Sequence, residues 1–214
     1  MKRRLFFVIL LIFSVSLVFG QKQQGLKLGI NRANITGKDL GDVTPLTGYH
    51  SGAFEMYPLM DNIIFHLELI YNLKGAKNEY SFPFWDGDVI VSQTYTFHYL
   101  EMPLLFKYNY RKDKFRLQPY IGPSIAMLID AKREYTEDWG GEIFSGTDDI
   151  RKNVKDIEYS LNFGADVMFP LLSEQILIGV RYNLGLSEIL ENVPQKAKNR
   201  VLMFSFGYIL RERS

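Results

Sequence analysis

The sequence predicts an all-β fold, an eight-stranded antiparallel up-and-down transmembrane β-barrel, and three observations predict it. Eight extended segments alternate apolar and polar residues with period two, and no apolar stripe of helical period persists for three turns. The connections between them run long, short, long, short, long, short, long, as in a membrane barrel with tight turns at one rim and polar loops at the other. The apolar set is also too bulky for the narrow interior that eight strands enclose, whereas the opposing set is rich in Gly, Ala and Ser.

Taken in order, the chain opens with Lys2, Arg3 and Arg4. An apolar run from Leu5 to Phe19 follows, broken by Ser14 and Ser16, with Gly20 where a signal peptidase would need a small residue. Residues 1–20 read as a signal peptide cleaved before Gln21. The alternative, a membrane anchor, is short for a span of about 20 residues. No Cys follows Gly20, which excludes a lipid-modified N-terminus. Without the leader, the domain at 21–214 holds 22 basic against 24 acidic residues, a net charge of −2. That balance offers no field for nucleic acid. The chain has no Cys at all, so its stability rests on packing or on a closed sheet.

The segments are 25–33, 47–57, 62–77, 92–110, 114–131, 155–170, 175–187 and 199–210. In the third, Ile63, Phe65, Leu67, Leu69, Tyr71 and Leu73 share one face, against Asn62, His66, Glu68, Asn72 and Lys74. In the fourth, Leu100, Met102, Leu104, Phe106, Tyr108 and Tyr110 oppose Glu101, Lys107 and Asn109. The later segments repeat the pattern, with Arg116, Gln118, Asp166, Arg181 and Ser205 on the polar side. Tight links fall at 58–61, 111–113 and 171–174, and external loops are expected at 34–46, 78–91, 132–154 and 188–198. Because Gly29, Gly122, Ala126, Gly164, Gly179 and Gly207 lie on the polar side, the polar face is placed inside and the apolar face in lipid.

The inward set then includes Lys27, Glu55, Glu68, Lys74, Glu101, Lys107, Arg116, Asp166 and Arg181. Buried charges must be paired. The expected lumen charge network is Glu68, Glu101, Lys107, Arg116, Asp166 and Arg181, with Glu68 and Glu101 held by Arg116 and Arg181, and it closes the barrel in preference to lining a solute path. Glu68 and Glu101 are explained as ion-pair partners before they are explained as a catalytic carboxylate pair. His50, His66 and His98 have no metal-ligand spacing, and neither Ser173 nor Ser187 has a histidine in register. No catalytic residue, cofactor or metal is assigned, and no enzymatic activity is expected. The loop 132–154 surrounds Tyr135, Trp139 and Phe144 with Glu134, Glu137, Asp138, Glu142, Asp148 and Asp149. An aromatic, acidic surface on a rigid scaffold suits recognition of an envelope protein or a glycan.

The stretches LKLGINRANITG at 26–37, FHLELIYNLKGA at 65–76, YLEMPLLFKY at 99–108, QPYIGPSIAML at 118–128 and IGVRYNLGLSEI at 178–189 resemble the PorT-like family of outer-membrane β-barrel proteins of Bacteroidetes-type bacteria. The resemblance covers nearly all of the chain after the leader. It implies insertion in the cell outer membrane by the barrel-assembly machinery, outer-membrane lipids around the barrel, and no catalytic set. For one branch it implies a part in protein secretion and gliding. A small structural or surface-interaction protein is the first expectation, a secretion component the second, a passive channel the third and a rim enzyme the last.

Overall fold

The computed structural model describes residues 23–38, 43–85, 87–112, 115–171, 174–191 and 196–210. The leader expected at 1–20 lies outside the described residues. Period-two alternation becomes ten strands: β1 (Gln23–Lys38), β2 (Val43–Met60), β3 (Ile63–Phe84), β4 (Gly87–Tyr108), β5 (Tyr110–Lys112), β6 (Phe115–Trp139), β7 (Glu142–Asp149), β8 (Ile157–Leu171), β9 (Glu174–Gly185) and β10 (Lys196–Leu210). Eight of them form the ring, in the order β4, β3, β2, β1, β10, β9, β8, β6, closed by β4 on β6. Every neighbouring pair in the ring is antiparallel. Closure satisfies the backbone without water, as a hydrocarbon environment demands. The first and last strands seal the ring over a long register, from Gln24 opposite Leu210 to Lys38 opposite Lys196.

β5 is the continuation of β4 past Asn109, whose N–H donates to the Asn62 carbonyl at 2.8 Å and ties two turns of the same rim together. β7 pairs only with the upper half of β6 and stands outside the ring.

Exposure decides which face is out. Leu28, Ile30, Ile121 and Ile178 are 61 %, 60 %, 55 % and 51 % exposed, while Lys27, Asn31, Asp166 and Arg181 on the alternate positions are 3 %, 1 %, 0 % and 1 %. The apolar face therefore points outward, which in water would be costly and in lipid is the stable arrangement. On β3 the outward apolar band runs from Ile63 to Leu73, which fits the about 9–11 residues a tilted transmembrane strand needs.

The loop expected at 78–91 is instead strand over most of its length, and that expected at 132–154 is strand as far as Asp149, followed by a short 3-10 turn at Arg151–Asn153. β3 and β4 stay paired up to Phe84 opposite Gly87, and β6 turns back through Gly140 and Gly141 into β7, with Trp139 opposite Glu142. Both glycines have positive φ, 67° and 108°, the two-residue turn that matches strand twist. At the loop expected at 34–46, β1 extends to Lys38 and β2 starts at Val43. At 188–198, β10 already begins at Lys196. The physical reason is a reversal of polarity. Above Leu73 on β3 and Leu100 on β4, the outward positions become Lys77, Glu79, Ser81 and Thr96, Thr94, Ser92, and the inward ones come to include Tyr95, Tyr80, Val91, Phe82, Val89 and Phe84. The alternation continues with its sign changed, as it must where the wall leaves lipid for water. On β6 a bulge helps: the register passes from His98 opposite Asp130 to Tyr99 opposite Leu128, so Ile129 is extra and the inward phase moves from even to odd numbers.

Candidate functional site: a sealed charged lumen and a protruding sheet

The inward positions stack in layers. At the turn end Phe54, Met56, Met168, Leu177 and Ile209 form an apolar floor. At the loop end Phe97, Tyr99, Leu128, Ala131, Val154 and Ile189 form an apolar lid. Val154 and Ile189 reach it from connecting segments, held by a bridge between Val154 and Leu190 and by Lys155 N–H on the Ile189 carbonyl at 2.8 Å.

Between floor and lid lie the charges. Arg181 donates Nη1 and Nη2 to the two Glu68 oxygens at 2.8 and 2.7 Å, and Lys27 Nζ donates to Glu68 Oε1 at 2.9 Å. His66 Nε2 lies 2.8 Å from that same oxygen, and its ring stacks on Phe54. One layer toward the turns, Lys107 pairs with Asp166. One layer toward the loops, Lys74 sits 3.1 Å from Glu101 and 3.2 Å from Glu158. Amides and hydroxyls complete the lattice: Asn72, Ser124 and Asn183 donate to Glu101 at 2.8, 2.7 and 2.8 Å, and Asn199 donates to Glu158 at 3.0 Å. Asn31 donates to Asn72 at 2.6 Å and meets His50, whose other nitrogen meets Ser205. Among the described residues the buried lumen carries four acids, Glu68, Glu101, Glu158 and Asp166, against four bases, Lys27, Lys74, Lys107 and Arg181. A balanced set is what makes so much charge tolerable away from water.

The expected network is thus assembled around Glu68 and Arg181, Lys107 and Asp166. The base beside Glu101 is Lys74, and Arg116 stands half-buried at the turn end of β6, across from Met168. Glu55 faces outward, opposite Leu67, where its carboxylate accepts from Gln24 Nε2 at 2.9 Å and from the Tyr57 hydroxyl. The inward phase of β2 falls on even numbers, so Phe54 and Met56, at the alternate positions, fill the floor. Glu158 escaped the sequence reading although it lies two residues before Ser160 on the inward phase, and strict period two would have found it. Of the remaining candidates, the Tyr71 hydroxyl and His98 Nδ1 meet on the outer face, and Ser187 Oγ accepts the Tyr159 N–H at 2.9 Å.

The second feature is the wall above the ring, a sheet of β3, β4, β6 and β7. Its inner face carries Tyr80, Phe82, Phe84, Tyr135, Trp139 and Phe144; its outer face is mostly Ser, Thr and charged residues, with Ile90 and Ile143 among them. Trp139 meets Phe84 and Phe82 edge-on at 4.9 and 6.2 Å. Phe84 and Trp139, with Val89, Asp88 and Glu142, line a shallow hollow at the tips of the two hairpins. Tyr135 lies over its register partner Gly146, under the Arg133 guanidinium at 5.8 Å. Arg133 Nε donates to Asp148 at 3.2 Å, and that carboxylate pushes the guanidinium pKa further up. The predicted trio Tyr135, Trp139 and Phe144 therefore shares one face, on a hairpin instead of a loop. Phe144 remains 54 % exposed and Phe84 51 %.

A closed ring with a lipid-directed apolar surface and a sealed, charge-balanced interior defines a transmembrane β-barrel. Residues 19–191 match the outer membrane protein beta-barrel domain family, and the chain belongs to that family and is an outer-membrane protein. No curated protein matches it significantly. Among solved structures it is similar to Ail, the attachment invasion locus protein of Yersinia pestis, in complex with the heparin analogue sucrose octasulfate. There the identity is 10 %, coverage is 89 % of this chain and 100 % of that one, and the TM-score is 0.41. Neisserial surface protein A is similar at 12 % identity, 88 % and 97 % coverage and a TM-score of 0.43. The E. coli outer membrane protein W is similar at 19 % identity, 87 % and 97 % coverage and a TM-score of 0.34.

Proposed function

We propose that this protein is a non-enzymatic outer-membrane barrel whose sealed lumen serves as a rigid scaffold and whose protruding sheet recognises an envelope protein or a glycan at the cell surface. The observation that carries the reading is the aromatic inner face of the wall, exposed Tyr80, Phe82, Phe84 and Phe144 around half-buried Trp139, held on strands continuous with the ring. Exposed aromatic clusters on a rigid support are interaction surfaces. The layered lumen argues against a passive channel, because a solute would have to displace both apolar layers and a paired charge lattice. During biogenesis the barrel-assembly machinery inserts it, and outer-membrane lipids surround it.

The second reading is a PorT-like component of a secretion or gliding complex, favoured by the YLEMPLLFKY stretch at 99–108. A photoreactive residue placed at Trp139 in intact cells, with mass spectrometry of what it captures, separates the two. Capture of a defined surface protein or glycan supports the first reading, and capture of envelope secretion proteins supports the second. Recovery of lipopolysaccharide only, or of nothing, overturns recognition by the wall.

A further inference from the structure

We propose that the open edge of β7 binds an extended, basic polypeptide segment by strand addition; this deepens, and rests on, the reading of the wall as a recognition surface. In an antiparallel pair the N–H and C=O of successive residues point alternately to the two sides. The Gly140–Gly141 turn makes Trp139 and Glu142 a hydrogen-bonded pair, and the Ile150 N–H on the Ala131 carbonyl at 3.0 Å keeps the same phase at the other end. Glu142, Phe144, Gly146 and Asp148 therefore bond to β6, while Ile143, Ser145 and Thr147 direct their backbone groups away from it. Among the described residues no strand takes up that side.

The opposite edge of the wall shows what a guarded edge looks like. Beyond Asn78, which pairs with Val43, β3 has no partner in β2. By the same counting from Phe84 opposite Gly87, the free side of β3 includes Pro83, which has no N–H to offer. Proline and lysine are the usual guards of exposed edges. β7, Glu142–Asp149, contains neither.

Charge selects the occupant. β7 carries Glu142, Asp148 and Asp149 and no cation, and β6 beside it adds Glu134, Glu137 and Asp138 against Lys132 and Arg133, so the hairpin stays acidic even with Arg133 paired to Asp148. Pairing with β7 of a second copy would set carboxylates against carboxylates. Glu142, Phe144, Gly146 and Asp148 share the inner face, so a segment alternating basic and apolar residues would set its cations on that face, near Glu142, Asp148 and the Phe144 ring, and its apolar side chains on the outer face beside Ile143. Main-chain bonds supply affinity in such additions and alternate side chains supply selectivity.

The probe is a fluorescent octapeptide alternating lysine and valine, titrated onto the full barrel in lipid nanodiscs. Binding is expected for this peptide, and not for the same peptide with a central proline or for an alternating glutamate and valine peptide. Ser145→Pro removes an N–H from the free side without touching a β6 bond and should weaken binding about tenfold, the worth of one or two such bonds. Ser81→Pro, on the guarded edge, should leave it unchanged. Glu142→Lys with Asp149→Lys should abolish binding with the β7 backbone untouched. Equal binding of the proline-interrupted peptide, or indifference to both Ser145→Pro and the charge reversal, overturns strand addition at β7. A concentration-dependent dimer lost in Ser145→Pro also overturns it, in favour of a second copy. If Trp139 still captures a cellular partner from the Ser145→Pro protein, the wall keeps its recognition role and only the edge proposal falls.

Discussion

Replacing Glu68 by Gln keeps its shape and removes its charge, and the structure sets the consequence. Glu68 receives the Arg181 fork at 2.8 and 2.7 Å and Lys27 at 2.9 Å, and all three side chains are sealed from solvent by apolar layers on both sides. The variant leaves two cations facing a neutral amide. Removing one partner of a buried pair costs about 3–5 kcal/mol, because the other charge stays buried without compensation. Removing Arg181 as well, as Glu68→Leu with Arg181→Met, leaves three acids against three bases but still strips Lys27 of its carboxylate, so it should recover part of the loss. The two single changes should then show a coupling of about 2 kcal/mol or more. The assay is reversible urea unfolding in lipid bilayers, read by the heat-dependent mobility shift of the barrel on detergent gels. Tryptophan emission is the wrong reporter, since both tryptophans, Trp85 and Trp139, lie in the wall above the ring. A Glu68→Gln protein within about 0.5 kcal/mol of the parent, the range of ordinary surface changes, would refute the claim that this pair is dry and coupled.

Other outcomes follow from the same geometry. Leu104→Arg on the lipid-facing side of β4 should cost about 2–4 kcal/mol in bilayers, while Ser92→Arg on the same side above the polarity reversal should cost next to nothing; equal costs would misplace the membrane boundary. Gly179→Ala would put a Cβ onto the Asp166 carboxylate, and the displaced Lys107 pair should lower stability by about 1–3 kcal/mol in the urea assay. Replacing Gly140 and Gly141 together by Ala forces a side chain into positive φ, and should shift Trp emission toward that of exposed indole while the barrel's gel mobility stays unchanged. In planar bilayers the purified protein should carry no steady current, and the double change Phe54→Ala, Leu128→Ala, which opens floor and lid, should introduce brief openings.

The ring was legible because its signal is local: period two with large apolar groups on one side and glycine, serine and charge on the other fixes strands, faces and inside-out polarity together. Glu68 with Arg181 could be foreseen because a narrow lumen forces inward charges to meet. Which cation meets which anion could not, since that depends on strand stagger and side-chain reach; Glu101 faces Ile70, and the long Lys74 side chain from further along β3 reaches it, while Arg116 lies far along β6 at the turn end. Glu55 was misplaced where the phase of β2 puts Phe54 and Met56 inward. The wall was missed for a different reason. Above the lipid the apolar residues move to the inner face, so a search for one continuous outward stripe ends at Leu73 and Leu100. The Trp-Gly-Gly-Glu turn at 139–142, between two alternating stretches, was the available hairpin signal.

The inside-out arrangement itself is the claim on which everything else rests, and the absence of native cysteine makes it directly measurable. Single cysteines at Thr147, Leu104 and Ser160, one each for the wall, the lipid face and the lumen, would be exposed to a membrane-impermeant maleimide on intact cells. The account predicts rapid labelling at Thr147→Cys, none at Leu104→Cys, and labelling of Ser160→Cys only after unfolding. Ready labelling at Ser160→Cys in intact cells would contradict a sealed lumen, and labelling at Leu104→Cys would contradict a face turned to lipid.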